Sequence, residues 1–286
     1  MHLVLLVALL LAGMGSGCTS SMVHFPTLES GKPGDKPVTL EALFERPSGT
    51  GPFPAVILLH GCGGMYGSAK QIASRQAEWA GILRREGYAV LHVDSFNPRG
   101  FREVCAFKPQ PVQPYAHRAA DTRAALRWLQ TQPDVKADRI AVLGWSHGGQ
   151  TVLNAVDALR YPAGKAGGAP DFRVAVSFYP LCTNFEKSKW FTRVPMMLLI
   201  GELDDWTPAP PCKGLAERLK TIGHPIDFVF YPGAYHGFDA PGAPIRVIPN
   251  APTAANGATA TVGTNPAARA DALKRVPAYL AKHLKD

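Results

Sequence analysis

Along most of the chain, short unbroken apolar runs alternate with longer stretches in which apolar residues recur every three or four positions. The runs occupy residues 55–59, 88–93, 140–143, 174–179, 196–200 and 228–231. Runs this short, with no polar alternation, predict strands buried on both faces. Between them the spacing turns helical: Ile72, Trp79, Ile82 and Leu83 within 68–85, then Ala120, Ala124, Trp128 and Leu129 within 117–129. Val152, Val156 and Leu159 mark a third helix, Leu215, Leu219 and Ile222 a fourth. Leu273, Val276, Leu280 and Leu284 mark a last one, in which Pro277 predicts a kink. Residues 38–46 alternate polar and apolar, as an edge strand does. Repeated β-α alternation of this kind predicts an α/β fold: a mainly parallel, doubly covered sheet with flanking helices, in one domain over 37–286.

Four segments depart from that rhythm. Residues 162–171 read as a short flexible insertion, and 241–266, rich in Ala, Gly, Thr, Pro and Asn, as a mobile surface loop. Residues 3–12 are continuously apolar but shorter than the ~20 residues that span a bilayer, and small residues follow up to Cys18. This predicts a signal peptide over 1–17. A cysteine directly after such a run resembles the lipidation site of bacterial lipoproteins, although Gly15 stands where those signals carry a larger apolar residue. Residues 18–36, polar and containing Pro26, Gly31, Pro33 and Gly34, read as a tether. The expected location is periplasmic, either soluble or lipid-anchored to a bacterial membrane through Cys18.

Composition narrows the function classes. Of 286 residues, 46% are hydrophobic and 18% charged, an ordinary globular balance. The net charge of +8 is scattered, with modest density only at Lys274, Arg275, Lys282 and Lys285. No basic stripe with interleaved aromatics is present, which argues against a nucleic-acid partner. Beyond Cys18, four cysteines remain, Cys62, Cys105, Cys182 and Cys212; in an oxidising compartment they permit two disulfides in three pairings. No His/Cys spacing suits a metal, and no cofactor is expected.

The chemistry centres on Gly144-Trp145-Ser146-His147-Gly148-Gly149, directly after one apolar run and before a helical pattern. Strand, Gly-x-Ser-x-Gly, helix is the setting of a nucleophile elbow. A serine hydroxyl needs a base to take its proton, and the base needs an orienting carboxylate. Both types follow in the order Ser, acid, His, each at the end of a predicted strand, where sites on parallel sheets assemble. In Gly201-Glu202-Leu203-Asp204-Asp205-Trp206-Thr207-Pro208, the Gly-x-x-Asp register with a proline four residues on selects Asp204 over Asp205 and Glu202. His236 lies in the loop after the last predicted strand; His224 precedes that strand and fits less well. Two oxyanion donors are expected: the His147 N–H, and the Cys62 N–H in His60-Gly61-Cys62-Gly63-Gly64, with Gly63 its neighbour. That loop lacks the Lys-Ser/Thr ending of a phosphate-binding loop.

From about residue 38 onward the chain resembles the dienelactone hydrolase family of α/β-hydrolases. The stretches that carry the resemblance are HGCGG at 60–64, DSFNPRGFREVC at 94–105, GWSHGG at 144–149, GELDDWTP at 201–208 and YHGFD at 235–239. The resemblance implies the triad Ser146, Asp204 and His236, and a hydrolase of carboxylic esters or lactones that needs no metal or organic cofactor. The family's namesakes use a cysteine nucleophile where this chain has Ser146, which favours a general serine esterase over a dienelactone-specific enzyme. In that frame Cys182 and Cys212 follow adjacent strands, as do Cys62 and Cys105, so Cys182–Cys212 and Cys62–Cys105 are the expected pairs. Arg99 and Arg102, after Asp94, are read either as pocket-wall residues that favour carboxylated substrates or as ordinary surface arginines. A serine exopeptidase of the same fold and a catalytically silent binding protein are the alternatives.

Overall fold

In the computed structural model, residues 18–29, 37–67, 70–162 and 168–285 are described. The predicted signal peptide, 1–17, lies outside them, as do parts of the tether and of the 162–171 insertion. The strands are β1 (Thr19–Pro26), β2 (Thr39–Arg46), β3 (Phe53–Leu59), β4 (Ala89–Asp94), β5 (Val135–Trp145), β6 (Val174–Phe178), β7 (Met196–Gly201), β8 (Asp227–Tyr231), β9 (Arg246–Pro249) and β10 (Thr259–Val262). The helices are α1 (Ser74–Arg85), α2 (Ala119–Gln130), α3 (His147–Ala155), the single turn α4 (Thr183–Glu186), α5 (Ala209–Thr221) and α6 (Pro266–Leu284).

Eight strands form one sheet in the order β1-β2-β4-β3-β5-β6-β7-β8. From β4 through β8 every pairing is parallel; β1 and β2 join antiparallel at one edge. β4, β6 and β7 are buried at every residue, so both faces of the sheet are covered, as the unbroken apolar runs require. α1 and α6 are joined by the Arg269–Glu78 ion pair, while α2 packs against α3. The α/β reading of the sequence therefore describes the fold.

Two segments correct it. Residues 19–26, expected within a tether, form β1 and pair with the whole length of β2, so β2 is an inner strand. Phe25 explains the capture: it is buried and stacks on Trp128 of α2 at 5.7 Å. The second correction concerns 241–266, expected as a mobile loop. It contains an antiparallel pair, β9 with β10, tied to the rest of the domain. Its anchor is described with the site below.

Both disulfides form with the expected pairing, Cys62–Cys105 and Cys182–Cys212. Cys18 is free and exposed.

Candidate active site

The site forms where the carboxyl ends of β5, β7 and β8 release their loops. Ser146 follows β5 and adopts φ 55° and ψ −115°, a region that non-glycine residues avoid. Its neighbours make that turn feasible. A Cβ on Gly144 would lie 2.3 Å from the Gly148 carbonyl oxygen, and one on Gly148 would lie 2.1 Å from the Leu59 carbonyl oxygen. No side chain fits at either place, so the Gly-x-Ser-x-Gly pattern records the close packing of β3, β5 and α3.

His236 comes within reach of Ser146 from the loop after β8. Its Nε2 is 2.9 Å from Ser146 Oγ and its Nδ1 is 2.8 Å from Asp204 Oδ2. Asp204 follows β7, and its Oδ1 accepts hydrogen bonds from the backbone N–H groups of Trp206 and Thr207, at 3.0 and 2.8 Å. One oxygen is thus held by the local turn, and the other faces the imidazole. Asp204 and His236 are both nearly inaccessible to water, which strengthens the contact between them.

The runner-up residues have other partners. Asp205 accepts hydrogen bonds from the Thr261 N–H and hydroxyl, at 2.7 and 2.9 Å, which fastens β10 to the acid turn. Glu202 accepts from the Gly233 N–H, and His224 packs on Phe191, away from Ser146. Arg99 fits neither reading, pocket wall nor surface arginine: its guanidinium is largely buried and pairs with Asp121 and Glu29, which holds the β1 end of the sheet to α2. Arg102 is exposed and stands clear of the cavity beside Ser146.

That cavity, about 250 Å³, is lined by Ser146, His147, Cys62, Gln113, Gln150 and Trp206 among others. Both proposed oxyanion donors border it. The loop of Cys62 lies against the elbow: a Cβ on Gly61 would touch the Trp145 carbonyl oxygen at 3.5 Å and Ser146 Cβ at 3.8 Å. His147 is the first residue of α3, so its N–H has no acceptor within the helix.

Several side chains in the site carry no sequence signal. Arg118, in a π-helical turn before α2, is fully buried, and its Nη1 lies 2.7 Å from His147 Nδ1. A guanidinium only donates, so His147 Nδ1 accepts and the imidazole proton sits on Nε2. Burial, then the Arg118 charge, then His60 hold the His147 pKa well below its ordinary value. Tyr179 follows β6 at φ 37°, meets His236 edge to face with ring centroids 4.6 Å apart, and donates its hydroxyl to Asp239 at 2.6 Å. Asp239 is fully buried and also accepts from the indoles of Trp79 and Trp145. The Thr207 hydroxyl contacts Asp204, the Tyr179 carbonyl and His236 Nδ1. Only Thr207 could be anticipated, because an Asp three residues before a helix-starting Thr-Pro is a recurrent turn.

The 241–266 segment closes the site on one side. The indole N–H of Trp206 donates to Thr253 at 3.0 Å, and its ring lies 5.2 Å from that of His236. His236 itself forms a β-bridge with Val262, and its carbonyl accepts from the Gly263 N–H.

Comparison with known proteins bears on all of this. The model of the dienelactone hydrolase family matches residues 40–284. A Bradyrhizobium sp. protein named as a probable 2-oxo-3-(5-oxofuran-2-ylidene)propanoate lactonase is 25% identical over 69% of this chain and 78% of its own length. The fold is shared with a dienelactone hydrolase-like promiscuous phosphotriesterase from metagenomic libraries (TM-score 0.65, 16% identity, 93% of this chain and 99% of that one). It is shared also with Thermogutta terrifontis esterase 2 (TM-score 0.59, 16% identity, 93% and 94%). With its match running from β2 into α6, the chain belongs to the dienelactone hydrolase family.

Proposed function

We propose that the protein is a serine hydrolase that cleaves carboxylic esters or lactones through an acyl-enzyme intermediate, with Ser146, His236 and Asp204 as its triad. The observation that carries this reading is the continuous hydrogen-bonded line from Ser146 Oγ to His236 Nε2 and from His236 Nδ1 to Asp204 Oδ2. Family membership and the lactonase relative support the substrate class.

Ser146 Oγ attacks the acyl carbon as its proton passes to His236 Nε2. Asp204 keeps His236 in the required tautomer and stabilises the imidazolium. The negative oxygen of the tetrahedral intermediate is held by the N–H groups of His147 and Cys62. On collapse the bond to the leaving oxygen breaks, and His236 returns the proton to the alcohol, or to the ring oxygen of a lactone. A water then attacks the acyl-enzyme with His236 again as base, which releases the acid and restores Ser146. The two disulfides suit an oxidising compartment, in keeping with export by the 1–17 segment.

The test is a set of parallel assays with p-nitrophenyl acetate, a small lactone and an aminoacyl p-nitroanilide. Wild-type protein is expected to turn over the ester and the lactone faster than the amide, and Ser146→Ala to lose about 10⁴-fold or more of that rate. Near-full activity in the variant, or turnover of the amide alone, would overturn the reading.

A further inference from the structure

The cavity at Ser146 does not end there. A second groove, about 340 Å³, adjoins it and shares Tyr115, Gln150 and Asn184 with it, so one depression runs from the nucleophile past α3 toward Lys189. Gln150, on α3, and Asn184, on α4, use their side-chain amides for no hydrogen bond among the described residues. Tyr115 stands on the ridge between the two hollows, 57% exposed, its carbonyl held by the Arg160 side chain. Beyond the ridge are Asn154, whose Nδ2 donates to the Gln150 carbonyl at 2.8 Å, and the charged pair of residues Asp157 and Lys189.

The lining mixes these polar groups with the aromatic rings of Phe185 and Trp190, and Leu159 is its one aliphatic side chain. Free amides offer donors and acceptors together, as a polyhydroxylated partner requires and as an alkyl chain does not. Tyr115 supplies a flat apolar face with a polar tip. The groove has one carboxylate and one ammonium, so it does not select a strongly anionic ligand. An apolar tunnel for a long acyl chain would instead be lined mainly by aliphatic side chains.

On these grounds, and resting on the hydrolase reading above, we infer that the groove is a subsite for a hydroxylated, sugar-type alcohol portion. The substrate class is then an O-acylated oligosaccharide: a short acyl group at Ser146, and glycosyl residues laid across Tyr115 toward Gln150, Asn184 and Lys189. Binding energy collected in the groove would position the ester carbonyl.

The experiment compares O-acetylated mono-, di- and trisaccharides with p-nitrophenyl acetate and p-nitrophenyl octanoate on the full-length protein. The inference predicts that kcat/KM rises at least about tenfold from mono- to trisaccharide, one tenfold step being 1.4 kcal/mol of added transition-state binding. It predicts that Asn184→Ala and Tyr115→Ala each remove most of that rise, and that octanoate is a poorer substrate than acetate. Turnover of p-nitrophenyl acetate with no gain from added sugar units, or a preference for the octanoate, overturns the subsite and leaves the hydrolase reading intact. Absence of turnover on every ester overturns both.

Discussion

At the scale of single residues, the site turns on two adjacent aspartates that do different work. Asp204 has one oxygen on the backbone of its own turn and one on His236; Asp205 holds β10. Asp204→Asn should therefore lower kcat by about 10⁴, because an amide there favours the wrong imidazole tautomer. Asp205→Asn should cost on the order of tenfold, below the hundredfold that a 1 Å misplacement can bring. Steady-state rates on p-nitrophenyl acetate check both, and equal losses would contradict the assignment. Ser146, Asp204 and His236 were legible in the sequence because their neighbours are constrained: glycines that admit no Cβ, and a proline that starts α5. Arg118, Tyr179 and Asp239 were not legible. Their partners lie 29 to 160 positions away along the chain, and no local spacing records such a meeting.

At the scale of elements, apolar runs revealed the inner strands because a strand covered on both faces has no polar face to spare. β1 escaped notice because, of its eight residues, only Phe25 is buried. The β9–β10 pair escaped for a related reason. Of its eight residues only Ala260 is buried, and its place is set by Asp205 and Trp206 on another loop. The disulfides link elements in the same way. Cys182–Cys212 joins the loop after β6 to α5 over a separation of 30 residues. Replacing both cysteines by serine should lower stability by about 3–4 kcal/mol on the chain-entropy estimate. Denaturant melts would show this as a lower midpoint; an unchanged midpoint would mean that the bond constrains nothing.

At the scale of the molecule, the buried polar groups set a pH dependence. Burial holds His60 and His147 uncharged, both pKa values lying well below the ordinary 6.5, with the Arg118 charge adding to the effect. The unfolded chain binds a proton at each below about pH 6.5 and the folded chain does not, so stability is full above that pH and falls as pH drops beneath it. The expected slope is about 1.4 kcal/mol per pH unit for each histidine. Thermal melts between pH 7.5 and 5 should show the decline, and His147→Gln should make it shallower; parallel profiles for the two proteins would contradict it. The claim that unites all three scales is that Ser146 is the nucleophile, and one measurement tests it most directly. The protein is treated with a fluorophosphonate and its peptides are mapped by mass spectrometry. The account predicts a single covalent adduct on Ser146, formed slowly or not at all in His236→Ala. An adduct on another residue with Ser146 unmodified, or no adduct in protein that is hydrolysing esters, would contradict it.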